Sequence, residues 1–340
     1  MTKIVIRRGY GEKSGLFPSS ELDRILLKVE SIGVNYTTER ATIRAVDGVS
    51  FVVHRGEALG LAGESGSGKS TIAQTILRLL PANAGIEQGR IAFEGREILS
   101  MHEEEFRTQF RWKRISTVPQ AAMNALTPVH RINRQIAEAI TTHEGATLEQ
   151  AILRAGSLLE SVGISKDRGQ SFPHQFSGGM KQRAVMAMAL ACDPGLLIAD
   201  EPTTGLDVIS QAEVLELLKE LKRRRGLSLI FITHDLSILP DVCDKIAIMY
   251  AGKIVEQAES EVLFNSPAHP YTKALLASFP DIENSKERLT TIPDSEIPVQ
   301  KIQTGCKFHP RCSLRIPKCI EQDPEVHKVK EGHFALCHLV

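Results

Sequence analysis

The sequence predicts an α/β domain with a mainly parallel sheet, a small antiparallel sheet beside it, a helical insertion, and a small cysteine-containing module at the C-terminus. Three observations carry that reading. Short apolar runs alternate with helical patterns between residues 26 and 260, the order expected of a parallel sheet covered by helices. A glycine-rich stretch, Gly63 to Thr71, stands between an apolar run and a helical pattern. After about residue 260 prolines cluster at 267, 270, 280, 293, 298, 310, 317 and 324, and the regular pattern fades.

The elements follow in order. Residues 1 to 25 are polar and glycine-containing and read as an N-terminal extension. Alternating apolar positions begin at Leu26–Val29 and recur at Val49–Val53, with Arg55-Gly56 as the turn into the run Ala58–Ala62. Arg90–Gly95 and Ile115–Val118 are further short strands. From about 130 to 165 the spacing of Ile136, Ile140, Leu153, Leu158 and Leu159 is helical, which places a helical insertion at about 125–185. The strand Leu196–Ala199 comes next. A helix follows with Val214, Leu217, Leu218 and Leu221 on one stripe, closed by Lys222–Arg225 and Gly226. Leu229–Thr233 and a hairpin from Lys245 to Glu256, turning at Ala251-Gly252, complete the body.

Gly63, Glu64, Ser65, Gly66, Ser67, Gly68, Lys69, Ser70 and Thr71 form a phosphate-binding loop in the required strand–loop–helix context. Glycines let the backbone wrap closely so that successive N–H groups point at phosphate oxygens, and the helix beginning there adds its positive end. Lys69 is placed to reach the β- and γ-phosphates of a nucleoside triphosphate, and the Ser70 hydroxyl to ligate Mg²⁺. Asp200 and Glu201 follow the buried strand Leu196–Ala199, which suits Asp200 to Mg²⁺ and Glu201 to polarising an attacking water. His234 and Gln120 also end strands. They are read as touching the γ-phosphate and the metal or its water, respectively. Ser177-Gly178-Gly179 opens a helix and reads as a second anion cradle, although an ordinary N-cap with a glycine turn would look the same.

Lys+Arg and Asp+Glu balance at 41 each, which argues against a nucleic-acid binder. No run approaches the roughly 18 apolar residues of a membrane span. The N-terminus has no signal-peptide pattern, so a cytosolic setting is expected, in which six cysteines are poor candidates for structural disulfides. Cys192 and Cys243 read as buried core thiols. Cys306-x5-Cys312-x6-Cys319-x17-Cys337 reads as a metal site that would suit zinc or an iron–sulfur cluster, and His309, His333 and His338 nearby keep zinc open.

The set of motifs in order resembles the ABC-type ATPases over residues 26 to 260: the phosphate loop, Gln120, Ser177–Gly179, Asp200-Glu201, Thr204–Asp207 and His234. Phe176 and Met180 stand where that family more often has leucine and glutamine, and Ala121-Ala122 where Asp-Pro is frequent. None of these departures removes a phosphate or metal contact. The resemblance implies an ATPase in which two cassettes sandwich two ATP molecules. It implies that Tyr36 stacks on adenine, that Ser177 and Gly179 complete the partner's site, that Glu201 is the general base, and that Asp207 couples the two sites. Ser266–Ala274, Gly305–Cys312 and Ala335–His338 look like the C-terminal region of dipeptide/oligopeptide importer ATPases, which extends the resemblance to residue 340. By that resemblance Cys306, Cys312, Cys319 and Cys337 bind a 4Fe–4S cluster. The expected setting is the cytoplasmic face of the cell membrane, with a second, paralogous ATPase subunit, two permease subunits and an external solute-binding protein. Peptides are the expected solute, with oligosaccharides or nickel complexes as alternatives. A soluble ABC ATPase of DNA repair or of the ribosome would need a coiled-coil insertion or a second cassette, and the sequence has neither.

Overall fold

The computed structural model describes residues 24–39, 41–278, 302 and 304–340, so the expected N-terminal extension lies almost wholly outside the described residues. In chain order the first strands are β1 (Ile25–Thr37), β2 (Thr42–His54), β3 (Ala58–Ala62), β4 (Ala84–Phe93), β5 (Arg96–Glu97) and β6 (Ile115–Val118). Then come β7 (Leu196–Asp200), β8 (Ser228–Thr233), β9 (Lys245–Tyr250), β10 (Lys253–Glu259), β11 (Val326–Lys330) and β12 (His333–Leu336). The helices are α1 (Lys69–Ile76), α2 (Glu103–Gln109), α3 (Ile132–Glu144), α4 (Leu148–Ser161), α5 (Gly178–Ala189), α6 (Val208–Arg225), α7 (Leu239–Val242), α8 (Ser260–Asn265), α9 (Pro270–Ala277) and α10 (Lys318–Glu321).

A small antiparallel sheet runs β2-β1-β4-β5, as the hairpin patterns suggest. The large sheet runs β11-β12-β10-β9-β3-β8-β7-β6 and is parallel from β9 to β6. β3, β7 and β8 are buried on both faces, which explains their unbroken apolar runs. Their pleat still sorts residues by face. Leu59, Leu61, Leu196, Ile198, Ile230 and Ile232 pack with α1 and the small sheet, while Ala62, Leu197, Ala199, Leu229 and Phe231 pack with the helical layer. The strand ends that follow Ala62, Val118, Asp200 and Thr233 are therefore neighbours at one edge. There an open parallel sheet binds its ligands.

The helical insertion contains α3 and α4. Gly145, in the left-handed region, ends α3, and Thr147 with Gln150 forms a capping box that starts α4. At the C-terminus β12 pairs antiparallel with β10, at Glu256↔Ala335 and Gln257↔Phe334, and β11 lies outside it. The prolines of the composition shift run from 267 to 324, and the strands after them return to the body. Glu256 bolts this join. It is buried, accepts from the N–H groups of Ala268 and His269 at 2.6 and 2.9 Å, and meets Nε2 of buried His333 at 2.7 Å. Among the described residues no helix is long and apolar enough to cross a membrane.

Candidate functional site

The phosphate loop leaves β3 and enters α1 through a backbone that only glycine accepts. Gly63 has φ +146° and Gly68 φ +104°; a Cβ on Gly63 would collide with the Met249 carbonyl, and one on Gly68 with the Ala45 carbonyl. Lys69 is buried, and its ammonium donates to the carbonyls of Gly63 and Glu64 at 2.7 and 2.9 Å and to the Ser67 hydroxyl at 3.3 Å. Burial lowers its pKa, opposed by the nearby carboxylates of Glu201, Asp200 and Glu64.

Asp200 ends β7 beside the Ser70 hydroxyl. It is buried, and its Oδ1 has no hydrogen-bond partner. Burial raises its pKa, with the Ser70 contact pulling the other way. A buried carboxylate oxygen without a donor is costly unless something cationic meets it. A hydroxyl and an orphaned carboxylate oxygen at one point suit Mg²⁺, which takes oxygen ligands.

Glu201 has φ +49°, a left-handed backbone for a non-glycine residue. Its N–H is held by the Ile232 carbonyl of β8 at 2.9 Å. Its carboxylate gathers three donors: Gln120 Nε2 at 3.1 Å and Thr204 Oγ1 at 3.0 Å on Oε2, and His234 Nδ1 at 3.0 Å on Oε1. Burial alone would raise the Glu201 pKa, but the His234, Thr204 and Gln120 hydrogen bonds overcome it and hold the group below its ordinary value. The expected trio of Gln120, Glu201 and His234 is thus brought together. Thr204 is the member that strand-end logic misses, because it sits on the loop three residues after Glu201.

Tyr36, half-buried on β1, reaches Thr71 Oγ1 and Gln74 Oε1 of α1, each at 3.4 Å, which sets its ring beside the phosphate loop. Ser177 is exposed at the N-cap of α5, where its hydroxyl accepts from the Met180 N–H. Gly179 is buried against Ser210, so that a Cβ there would lie 2.6 Å from the Ser210 hydroxyl. That hydroxyl donates to Asp207, the N-cap of α6, at 2.8 Å. Ser177–Gly179 and Asp207 thereby form one surface. Met123, in the short turn after Gln120, lies against Gly178 and Gly205 and joins this surface to the Gln120 segment.

The four C-terminal cysteines are free and within electrostatic reach of one another. Burial pushes Cys306 up to about 11 and raises Cys312 and Cys337 too, with neighbouring thiols adding to each shift. The Cys306 N–H donates to the Cys319 carbonyl at 2.8 Å. Among the described residues no three His, Cys, Asp or Glu side chains stand close enough to hold a metal ion. The histidines that left zinc open each have one ring nitrogen hydrogen-bonded: His309 Nδ1 with the Cys306 carbonyl, His338 Nε2 with the Gln322 carbonyl and His333 Nε2 with Glu256.

Residues 46–204 match the family model described as ABC transporter, and residues 255–319 match the one described as oligopeptide/dipeptide transporter, C-terminal region. A Sinorhizobium fredii protein named a probable peptide ABC transporter ATP-binding protein is 44% identical over 317 residues, covering 92% of this chain and 94% of its own. The Bacillus subtilis oligopeptide transport ATP-binding protein OppD is 44% identical over 313 residues, 91% of this chain and 87% of its own. Among solved structures, the dimeric post-hydrolysis ATP-binding cassette MJ0796 bound to ADP and Pi superposes with a TM-score of 0.62. It is 25% identical and covers 69% of this chain and 99% of its own.

Proposed function

The chain belongs to the ATP-binding proteins of ABC transporters, in the oligopeptide and dipeptide group, and from that premise we propose that it hydrolyses ATP to drive peptide uptake through separate permease subunits. The observation that carries the hydrolytic part is Glu201, ionised and fixed by three donors beside Asp200 and Lys69. An ionised carboxylate offers about four acceptor sites. Gln120 and Thr204 fill Oε2 and His234 takes one site on Oε1, which leaves one lone pair on Oε1 for a water proton. That makes Glu201 the general base. Lys69 moves its ammonium from the Gly63 and Glu64 carbonyls to the β- and γ-phosphates. Ser70 and Asp200 would hold Mg²⁺, which would supply positive charge against the phosphates. Tyr36 is the platform for adenine.

Ser177, exposed at the N-cap of α5, completes the nucleotide site of a second cassette together with Gly179. Exposed Val208 and Ile209 beside Asp207 give that interface its apolar part. The second cassette is a paralogue, making a heterodimer. Permeases dock on the cytoplasmic side around the Gln120 segment and the helical insertion, where Val129 and Leu153 are exposed, and a solute-binding protein delivers the cargo. Cys306, Cys312, Cys319 and Cys337, four cysteines being the usual ligand set, would supply the thiolates of a 4Fe–4S cluster in a structural role, and they would have to draw together to do so.

Glu201→Gln should leave binding of a fluorescent ATP analogue intact and lower phosphate release about 10²- to 10⁴-fold. Turnover near wild type would sink the general-base role. Stimulation of the reconstituted complex by di- and oligopeptides, against nickel complexes and oligosaccharides, tests the solute. A broad visible absorption band and bound iron in anaerobically purified protein are expected for the cluster, and zinc without iron would exclude it.

A further inference from the structure

Glu64 is an odd residue for its place. It puts a carboxylate on a loop that must accept a polyanion, and every polar group of its own is committed. Its carbonyl takes Lys69. Its N–H donates to the hydroxyl of buried Tyr271, on α9, at 3.1 Å. Its carboxylate takes both arms of Arg311, Nη1 to Oε2 at 2.8 Å and Nη2 to Oε1 at 2.9 Å. Two of those three partners lie more than 200 residues away, in the C-terminal region.

Arg311 is held as firmly as the residue it meets. Its side chain is 11% exposed, against 38% for Glu64. It ends the turn His309–Arg311, bracketed by Cys306 and Cys312, and its guanidinium lies 5.8 Å from the Tyr250 ring centroid. Phe308 in the same segment packs edge-on against Tyr250 and Tyr271, with centroids 5.3 and 5.2 Å apart. A guanidinium fork on a carboxylate fixes direction as well as charge. When Lys69 leaves the Glu64 carbonyl for phosphate, the Ser67 N–H stays on that carbonyl at 3.2 Å, and the contacts to Tyr271 and Arg311 hold the rest of the residue.

We propose that Arg311 is a positioning residue for ATP binding: the cysteine-bearing tail reaches the phosphate loop and, through Glu64, neutralises its carboxylate and holds it away from the phosphates. This rests on the ATP reading of the loop and deepens it, since a segment outside the cassette's own motifs then sets nucleotide affinity. Loss of Arg311 would leave a bare carboxylate facing the incoming anion.

The test is a double-mutant cycle on the full chain, read as the Kd of a fluorescent ATP analogue. Arg311→Ala should weaken binding roughly fivefold or more, in the range of site-to-site coupling. Adding Glu64→Gln, which removes the carboxylate, should abolish the Arg311→Ala deficit, so that the double mutant binds no more weakly than Glu64→Gln alone. The Arg311→Ala deficit should shrink at high ionic strength, because it is a repulsion. Arg311→Lys, which keeps the charge without the fork, should fall between and serves if the alanine variant does not fold. Wild-type affinity in both Arg311 variants overturns the proposal. So does a double mutant as weak as Arg311→Ala alone, which would mean the arginine acts on packing. Lys69→Ala is the control for the parent reading: if it binds the analogue like wild type, the ATP site is misplaced, whatever the Arg311 variants do.

Discussion

At Glu201 the backbone is bent into φ +49°, a conformation that costs on the order of 1–3 kcal/mol for a side-chain-bearing residue. The bend brings the carboxylate to Gln120 and His234, from the ends of β6 and β8. Those three were legible in the sequence because a parallel sheet forces strand ends into register, and each residue stands one or two positions after a strand. The place of Asp200 at the end of β7 was legible for the same reason, but its unpartnered oxygen was not. Glu64–Arg311 was not legible either: the partners stand 247 residues apart, and no periodicity reports on such a pair. The glycines make a prediction at this scale. In Gly63→Ala both the positive φ and the collision with the Met249 carbonyl must be relieved by moving the loop. Nucleotide binding should fall below detection in the titration that reads Lys69→Ala, while circular dichroism keeps the helix and sheet content. Gly66→Ala has open space for its Cβ and pays only for its φ of +77°, so it should retain measurable binding.

Among the elements, the hairpin of β9 and β10 is where sequence and structure agree most closely. Ala251 and Gly252 both take positive φ, +50° and +83°, the pair of left-handed residues that a two-residue hairpin turn requires. The helix α9 is where the sequence misleads, since its Pro-Tyr-Thr segment sits in proline-rich surroundings and reads as irregular. Pro270 instead occupies the first turn, where a missing N–H costs nothing, and His269 caps it by accepting from the Tyr271 N–H at 3.0 Å. His269 is 1% exposed, and burial lowers its pKa to about 4. The unfolded chain takes up the proton near pH 6.5 and the folded one only near 4, so the folded state loses stability as the pH falls between those values. The slope should approach about 1 kcal/mol per pH unit from this group alone. His269→Asn, which keeps a capping acceptor without a titrating ring, should flatten the fall in melting temperature between pH 6.5 and 4.5. An unchanged slope would assign the acid sensitivity to other groups.

Over the whole molecule, the question is whether the C-terminal region is an appendage or a part of the cassette. Composition argues for the first and hydrogen bonds for the second, because composition sees the prolines whereas β12 and β11, four and five residues long, give no strand signal of their own. β12 covers the edge of β10, which would otherwise expose unpaired backbone groups, and His333 closes the buried pocket of Glu256. Removing one partner of a buried charged or polar pair typically costs about 3–5 kcal/mol. A domain of this size loses roughly 2–4 °C per kcal/mol, so His333→Ala should lower the melting temperature by about 10 °C. A chain ending at residue 278 loses that contact together with the strand pairing, Phe308 and Arg311. It should melt lower still or go to the insoluble fraction, and whatever remains soluble should bind ATP more weakly than the full chain. If the truncated chain kept the full chain's melting temperature and nucleotide Kd, the tail would be an independent module and its contact with the phosphate loop incidental. His333→Ala separates the two effects of the tail, because it loosens the join without touching Arg311: stability should fall while nucleotide affinity, measured well below the new melting temperature, stays near wild type.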